Sequence, residues 1–234
     1  MKHACRIAVA VIALCALLAS HGARAIVIGQ VDTFEDGTTR NWLINVLGMG
    51  SPPPLALPAN VPDGGPDGPN DSYLQLTSLG TGGAGGRLVA LNLAQWSGNY
   101  ALAGVGGIAM DVINLGTSDL SLRLLFEHLE GGPPTDVATS TNAVFVPAGS
   151  GWRHVVFPVA APALTALLGN VDDVLESVSV LRIFHSATVA FPPDPIVARL
   201  GVDNIAAVPE PASLALVAGA LLLVAGGRAC RSRR

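Results

Sequence analysis

Apolar and polar residues alternate along most of the chain between residues 26 and 207. In the clearest case, Leu120, Leu122 and Leu124 share one face of an extended segment, whereas Ser121 and Arg123 share the other. A period of two residues is typical of strands that bury one face of an antiparallel sheet. The pattern predicts strands at residues 26–34, 73–79, 87–93, 107–115, 120–130, 142–146, 152–159, 178–184 and 198–205.

Gly, Pro, Asn and Asp residues mark turns between these strands. Their spacing predicts an all-β domain, an antiparallel β-sandwich of jelly-roll type, over residues 26–207. We expect one or two short helices in it, at residues 161–168 and 172–176, the second with acids in its first turn as a helix N-terminus favours. Residues 51–70 contain seven prolines and three glycines, so they predict a long loop that joins neither sheet.

The first 25 residues have the three parts of a secretory signal peptide. Lys2 and Arg6 are basic, residues 7–19 are apolar, and Ala23 and Ala25 form a small-residue cleavage site around Arg24. We therefore expect residues 1–25 to be removed during export.

The last residues combine three features in a fixed order. The triplet Pro209, Glu210 and Pro211 precedes an uncharged apolar segment, residues 212–227, which predicts a single transmembrane helix. Its 16 residues rise about 24 Å, against a hydrocarbon core of about 30 Å, so it spans only where the bilayer thins or with help from residues 205–208. The positive-inside rule places the basic tail in the cytoplasm and the domain outside. The arginines of this tail are Arg228, Arg231, Arg233 and Arg234.

This order of features resembles the PEP-CTERM sorting signal of Gram-negative bacteria that make exopolysaccharide. The resemblance implies that residues 208–234 are recognised by an exosortase, a cysteine protease of the inner membrane that removes the anchor. It further implies an exported protein that is anchored transiently and then reaches the cell surface or the extracellular matrix. A permanent tail anchor is the alternative.

The composition of the central domain limits the classes of molecule that it can bind. Between residues 26 and 208 the chain has six arginines, no lysine and 16 acidic residues, hence a formal charge of −10. Such a domain is repelled by nucleic acid and by anionic lipid.

Cys5, Cys15 and Cys230 all lie in the terminal segments, which excludes thiol catalysis and cysteine-bound zinc in the domain.

The two ends of the domain resemble the first and last strands of galactose-binding-like jelly rolls, which are common among carbohydrate-binding modules. The resembling segments are residues 34–37 with Trp42 and residues 201–205, and the stretch from residues 96–100 to residues 111–114 is similar to PEP-CTERM ectodomains of this type. The resemblance implies a structural calcium ion held by Glu35 and Asp203, with Asp36 and Asn204 as adjacent sources of oxygen. Hydrogen bonding of these side chains in turns and caps is the alternative.

Three other local patterns are weaker indications of a functional site. Residues 80–85 match the glycine pattern of dinucleotide sites, but a strand-like segment follows where such a site needs a helix N-terminus. Asp63, Asp67 and Asp71 are spaced by four, not by two as in an EF-hand, which favours a solvated acidic loop over calcium. The isolated histidines have no metal-site spacing and are expected to be structural or exposed. They are His128, His154 and His185.

Two features leave the function open. Asp111, Glu127 and Glu130 lie on neighbouring predicted strands, and paired carboxylates can hydrolyse glycosides. Aromatic rings can stack on sugars or simply fill a core, with the core favoured for Trp42, Trp96, Tyr100 and Trp152. We expect a non-catalytic surface or matrix module that contacts exopolysaccharide. The alternatives are a structural surface protein without a small ligand, and a glycoside hydrolase.

Overall fold

The computed structural model describes residues 25–44 and 51–209, and the regular secondary structure of this part consists mainly of short strands. The strands are β1 (Val31–Asp32), β2 (Ala59–Val61), β3 (Tyr73–Leu79), β4 (Val89–Asn92), β5 (Val105–Asn114), β6 (Leu120–Leu129), β7 (Pro134–Ser140), β8 (Val144–Val146), β9 (Arg153–Pro158), β10 (Leu164–Leu168), β11 (Val180–His185) and β12 (Val197–Pro209). Two short α-helices, α1 (Tyr100–Ala103) and α2 (Val171–Glu176), lie between strands.

The strands form two antiparallel sheets. The first sheet has the order β2-β3-β12-β5-β9, with β1 paired to β12. The second has the order β10-β7-β6-β11-β4, with β8 paired to β6. The predicted all-β antiparallel sandwich is therefore confirmed.

One hydrophobic core joins the two sheets. Leu122, Leu124 and Phe126 of β6 are fully buried in the same cluster as Leu200 and Val202 of β12. Burying one such side chain stabilises a fold by about 1.5–3 kcal/mol. The alternation seen in the sequence is the direct cause of this arrangement, because every second residue of a strand faces the same side.

The predicted helix at residues 161–168 is wrong. A 3-10 turn occupies Ala161–Ala163, and Leu164–Leu168 is the edge strand β10, paired with β7 from Leu164 opposite Ser140. An eight-residue helix is marginal on its own, so pairing with the free edge of β7 decides the conformation. The helix predicted at residues 172–176 is confirmed as α2, whose N-terminus is capped by the side chain of Asn170.

Several boundaries also differ from the prediction. The segment 51–70 is not wholly a loop, because it contains a 3-10 turn at Pro54–Ala56 and the strand β2, which pairs with β3. The strand predicted at residues 26–34 is reduced to β1. The sequence pattern predicted neither strand β7 nor helix α1, because β7 starts at a proline and α1 has only four residues.

The terminal predictions concern residues outside the described part of the chain. Ala23 of the cleavage site, Glu210, Pro211, the apolar segment 212–227 and the tail arginines all fall there. Within residues 25–44 and 51–209, no helix has the length and apolar character needed to cross a membrane.

Candidate functional site

A groove of about 650 Å³ crosses the outer face of the second sheet at one end of β4, β11 and β6. Its volume lies in the range of small-molecule sites, about 300–1,000 Å³. Most of its lining is aliphatic, with one aromatic ring and one pair of charged side chains. The residues that define it chemically are Leu91, Leu129, Val180, Glu127, Arg182 and Phe191.

The strand period explains why charged side chains lie on this face. In β11, Leu181 and Ile183 face the core, so Arg182 faces outward between them. In β6, Phe126 faces the core and Glu127 therefore faces outward as well. The register pairs Glu127 with Val180 and Arg182 with Leu125, so Arg182 and Glu127 are diagonal neighbours two positions apart, a spacing that long side chains can bridge.

Arg182 and Glu127 form a buried bidentate ion pair. Nε of Arg182 donates to Oε1 of Glu127 at 3.1 Å, and Nη2 donates to Oε2 at 2.8 Å. Both residues are only 5% exposed. The third guanidinium nitrogen, Nη1, is also buried and has no hydrogen-bond partner among the described residues. A buried donor without an acceptor costs about 1–3 kcal/mol.

Phe191 covers this ion pair from the loop between β11 and β12. The centre of its ring lies 5.3 Å from the guanidinium carbon of Arg182, within the range of a cation–π contact. The ring also packs edge-on against Phe184, with the two ring centres 5.5 Å apart. Phe184 belongs to a small apolar cluster on the outer face, with Leu125 and Val137. Phe191 is therefore held as one wall of the groove.

A second, polar cleft of about 440 Å³ adjoins the groove. Leu93, which is 49% exposed, lines both cavities. The amide of Gln95 lies in the polar cleft, where Nε2 donates to the backbone oxygen of Arg40 at 2.6 Å and to the carboxylate of Asp32 at 3.1 Å. Asn41 donates to Oε1 of Gln95 at 3.3 Å. The side chains of the cleft are thus connected to one another by hydrogen bonds.

Asp32 connects this network to the buried core of the domain. Its Oδ2 accepts the indole N–H of Trp42 at 2.9 Å and that of Trp96 at 2.7 Å. Both tryptophans and Tyr100 are fully buried, so the core interpretation of these three aromatic residues is confirmed. Trp152 is partly exposed on the first sheet and packs edge-on against Tyr73.

The two acids predicted for calcium lie near a group of carboxylates in the first sheet. Asp203 of β12 is 1% exposed, and neither of its carboxylate oxygens has a hydrogen-bond partner among the described residues. Burial raises the pKa of Asp203 to about 7, and the negative charges of Asp71, Asp111 and Glu35 add to the rise. The backbone N–H of Asn204 lies close enough to offset part of this rise in pKa, without the geometry of a hydrogen bond.

The neighbours of Asp203 come from separate parts of the chain. Glu35 follows β1 and accepts the backbone N–H of Ser72 at 2.9 Å. Asp111 of β5 pairs directly with Asp203 in the ladder and accepts a hydrogen bond from the side chain of Asn204 at 2.9 Å. In residues 25–44 and 51–209, no three acidic, histidine or cysteine side chains are grouped closely enough to hold a metal by themselves.

The loop acids and Asp36 are held by local hydrogen bonds. Asp63 accepts the backbone N–H of Asn70 at 2.7 Å, and Asp71 accepts that of Asp67 at 2.6 Å. Asp36 accepts from Thr38 and pairs with Arg40 at 3.2 Å on the surface.

The remaining predicted candidates do not form one site. Residues 80–85 are turns and bends between β3 and β4, as expected from the absence of a helix. His128 contacts Asp136, His154 contacts Asp111, and the ring of His185 accepts the backbone N–H of Ser121.

The three acids considered for glycoside hydrolysis do not lie in one sheet. Asp111 lies in the first sheet with His154 and Asn204 as partners, whereas Glu127 lies in the second sheet and is bound to Arg182. Glu130 follows the end of β6. Sequence reasoning missed Arg182 and Phe191, because only the pairing of β6 with β11 brings Arg182 to Glu127 and only the fold brings Phe191 over both.

No protein-family model and no curated protein matches the chain. Among solved structures, an exo-β-agarase is similar over 79% of this chain, with 12% identity and a TM-score of 0.53. The matched part is 26% of the agarase chain, so this chain spans about a quarter of that enzyme. At this identity the likeness shows a shared fold and no more.

Carbohydrate-binding modules are also similar to the chain. A family 11 module from Clostridium thermocellum, solved with a β-1,3-1,4-mixed-linked tetrasaccharide, is 12% identical, covers 79% of this chain and 97% of its own, and has a TM-score of 0.49. The tandem CBM22 domain of Xyn10C from Paenibacillus barcinonensis is 14% identical over 80% of this chain and 48% of its own, with a TM-score of 0.45.

Proposed function

We propose that this chain is a non-catalytic carbohydrate-binding module and that the groove over Arg182 and Glu127 holds the glycan. The observation that carries the proposal is the groove itself, which brings an aromatic ring, an aliphatic floor and a pair of charged side chains together in one cavity. Sugars present apolar C–H faces that pack on rings and hydroxyl groups that accept and donate hydrogen bonds. The groove offers a partner for each.

The same ion pair argues against a hydrolase in this groove. Both oxygens of Glu127 accept hydrogen bonds from Arg182, so the carboxylate is already engaged by the guanidinium. Glycoside hydrolysis needs two carboxyl groups about 5–9.5 Å apart, one on each side of the scissile bond. Glu127 is the one acid that lines the groove within the described residues.

A structural calcium ion near Asp203 and Glu35 is part of the proposal. The two unpartnered, buried oxygens of Asp203 fit such an ion, because calcium binds carboxylate oxygens and would offset the negative charge of the surrounding acids. Calcium takes six to eight oxygen ligands, so backbone carbonyl groups and water would complete the set. The ion would link β1 and the loop before β3 to β12.

Export would bring the domain to the polymer that it binds. We propose that exosortase cleavage near Pro209, at the inner membrane, releases the domain to the cell surface or matrix, where exopolysaccharide is the polymer it contacts. Mass spectrometry of the protein recovered from the matrix of the producing cells is expected to find Ile26 at the N-terminus and no Arg228. Recovery of the intact C-terminus from the membrane would favour the permanent anchor instead.

Titration calorimetry tests the glycan site. The purified full-length protein is titrated with exopolysaccharide of the producing cells, with agarose oligosaccharides and with the β-1,3-1,4-mixed-linked tetrasaccharide. We expect saturable heat with one of them. Phe191→Ala is expected to lower that affinity about tenfold, because an aromatic contact contributes about 1.5 kcal/mol.

Phe145→Ala is the matched control, since Phe145 is a 54% exposed ring on β8 of the same sheet that does not line the groove. Equal loss in both variants would contradict the groove. Release of reducing sugar would instead indicate a hydrolase. A complete absence of heat would leave a structural surface protein.

A further inference from the structure

The groove and the polar cleft lie next to each other and differ in the polarity of their linings. The groove is mostly aliphatic around the ion pair, whereas the cleft presents the amide side chains of Gln30, Asn41 and Gln95 above Asp32. Leu93 lies in the chain directly after β4 and lines both cavities, so no other element separates them there.

The polar side chains of the cleft are held by hydrogen bonds before any ligand arrives. The side chain of Gln95 is held by Asp32 and by the backbone of Arg40, and Gln30 donates to the backbone oxygen of Gln95 at 2.8 Å. Asp32 in turn is fixed by two buried indoles. Side chains that are already ordered lose little entropy on binding, which raises affinity for a ligand that fits.

The cationic side chains that line the two cavities are each paired with a carboxylate. Arg182 is neutralised by Glu127 in the groove, and Arg40 pairs with Asp36 at the edge of the cleft. Asp32 is buried beneath its three donors. The domain around them carries a formal charge of −10. An acidic polymer would therefore meet repulsion without a free cation in either cavity.

We propose that the two cavities form one continuous site for a linear neutral glycan, which lies with an apolar sugar face in the groove and crosses Leu93 to place hydroxyl groups against the amides of the cleft. This inference rests on the proposed function of the groove and adds the length and the chemical class of the ligand. A single sugar fills one cavity only, so affinity depends on chain length.

The test uses calorimetry of the full-length protein with three sets of probes. Two are neutral, the β-1,3-1,4-glucan and agarose oligosaccharides of two to six residues, and the third is oligogalacturonates of the same lengths. We expect affinity for one neutral series to rise at least tenfold with length and then level off, and the acidic series to bind more weakly than either.

One variant examines the cleft alone. Asn41→Gly keeps the left-handed backbone of Asn41, with φ of 60°, and removes its side chain. It is expected to weaken binding of the long oligosaccharide about fivefold, the value of one hydrogen bond, and to leave the shortest one unchanged. Asn70→Gly is the matched control, because Asn70 is also exposed and left-handed, with φ of 63°, and lines neither cavity.

Leu93→Asp places a charge at the junction and is expected to weaken the long oligosaccharide at least tenfold and the shortest one less, because only the long one crosses Leu93. Leu168→Asp is its control, since Leu168 is equally exposed, at 50%, on the opposite edge strand β10. Affinity that is independent of length and unchanged in Asn41→Gly and Leu93→Asp would overturn the continuous site and leave the groove in place. Tighter binding of the acidic series would overturn the neutral class. An absence of binding to every series would overturn the groove as well.

Discussion

The indole N–H of Trp96 donates to the carboxylate of Asp32 at 2.7 Å, although the two residues are 64 positions apart. Trp42 donates to the same oxygen, so one buried acceptor serves two buried donors. This arrangement ties β1 to the segments that contain the two tryptophans. It also forms the floor of the polar cleft.

Asp32→Ala is expected to lower the free energy of unfolding by about 3 kcal/mol, because two buried indole donors lose their acceptor. Urea unfolding followed by tryptophan fluorescence measures the loss. Asp36→Ala serves as the control, since Asp36 is exposed and its pair with Arg40 is expected to contribute less than about 1 kcal/mol. Equal losses in the two variants would show that the indole contacts do not stabilise the fold.

Removal of Arg182 alone should destabilise the domain more than removal of the whole ion pair. Arg182→Met leaves Glu127 buried and unpaired, for an expected loss of about 3–5 kcal/mol. In the double variant Glu127→Gln with Arg182→Met no net charge stays buried, and we expect most of this loss to be recovered. A double-mutant cycle in urea measures the coupling, and a double variant less stable than Arg182→Met would contradict the interpretation.

Calcium is expected to raise the Tm of the protein, and chelator to lower it again. Asp203→Asn should abolish the response to calcium, since the variant lacks the carboxylate that would bind the ion. In chelator at pH 7 the same variant should be at least as stable as the wild type, because a buried carboxylate without hydrogen-bond partners has been removed. Thermal unfolding under both conditions measures this. A calcium response that survives in Asp203→Asn would exclude the proposed site.

The stability of the sandwich is expected to fall below neutral pH through His185. Burial lowers the pKa of His185 from its ordinary value of 6.5, and the charge of Asp194 opposes this only in part. Nδ1 of His185 accepts the backbone N–H of Ser121 at 2.9 Å, which the neutral ring alone can do. A lowered pKa in the folded state means that the stabilisation is complete above pH 6.5 and is lost as the pH falls below it.

His185→Asn retains an acceptor near the position of Nδ1 and does not titrate in this range. The difference in Tm between wild type and variant, measured from pH 8 to pH 5, is expected to shift against the wild type as the pH falls. A difference that is constant across this range would contradict the role of His185.

Gly201→Ala is expected to destabilise the first sheet by about 1–3 kcal/mol, the usual cost of overpacking. A Cβ at this position in β12 would lie 2.5 Å from a methyl group of Ile113 and 3.1–3.2 Å from the rings of Tyr73 and Trp152. Tryptophan fluorescence and urea unfolding report the change. Gly151→Ala is the control, because its Cβ would meet nothing within 4 Å, and it should change stability by less than about 0.5 kcal/mol.

The sequence by itself determined the class of the fold and most of the strands. The alternation in β6 and β11 is local information, since each second side chain must face the core, and it also placed Glu127 and Arg182 on the outer face. The pattern failed at residues 164–168, where pairing with β7 overrides the local preference of Ala and Leu. It also failed at β7, whose inward residues are small.

Only the tertiary structure decided which side chains meet. The register of β6 against β11 joins Glu127 to Arg182, and the fold places Phe191 above them and Leu93 beside them. In the same way, the acid neighbours of Asp203 come from three other segments of the chain. Contacts between residues so far apart depend on strand register and loop closure, which no local pattern encodes.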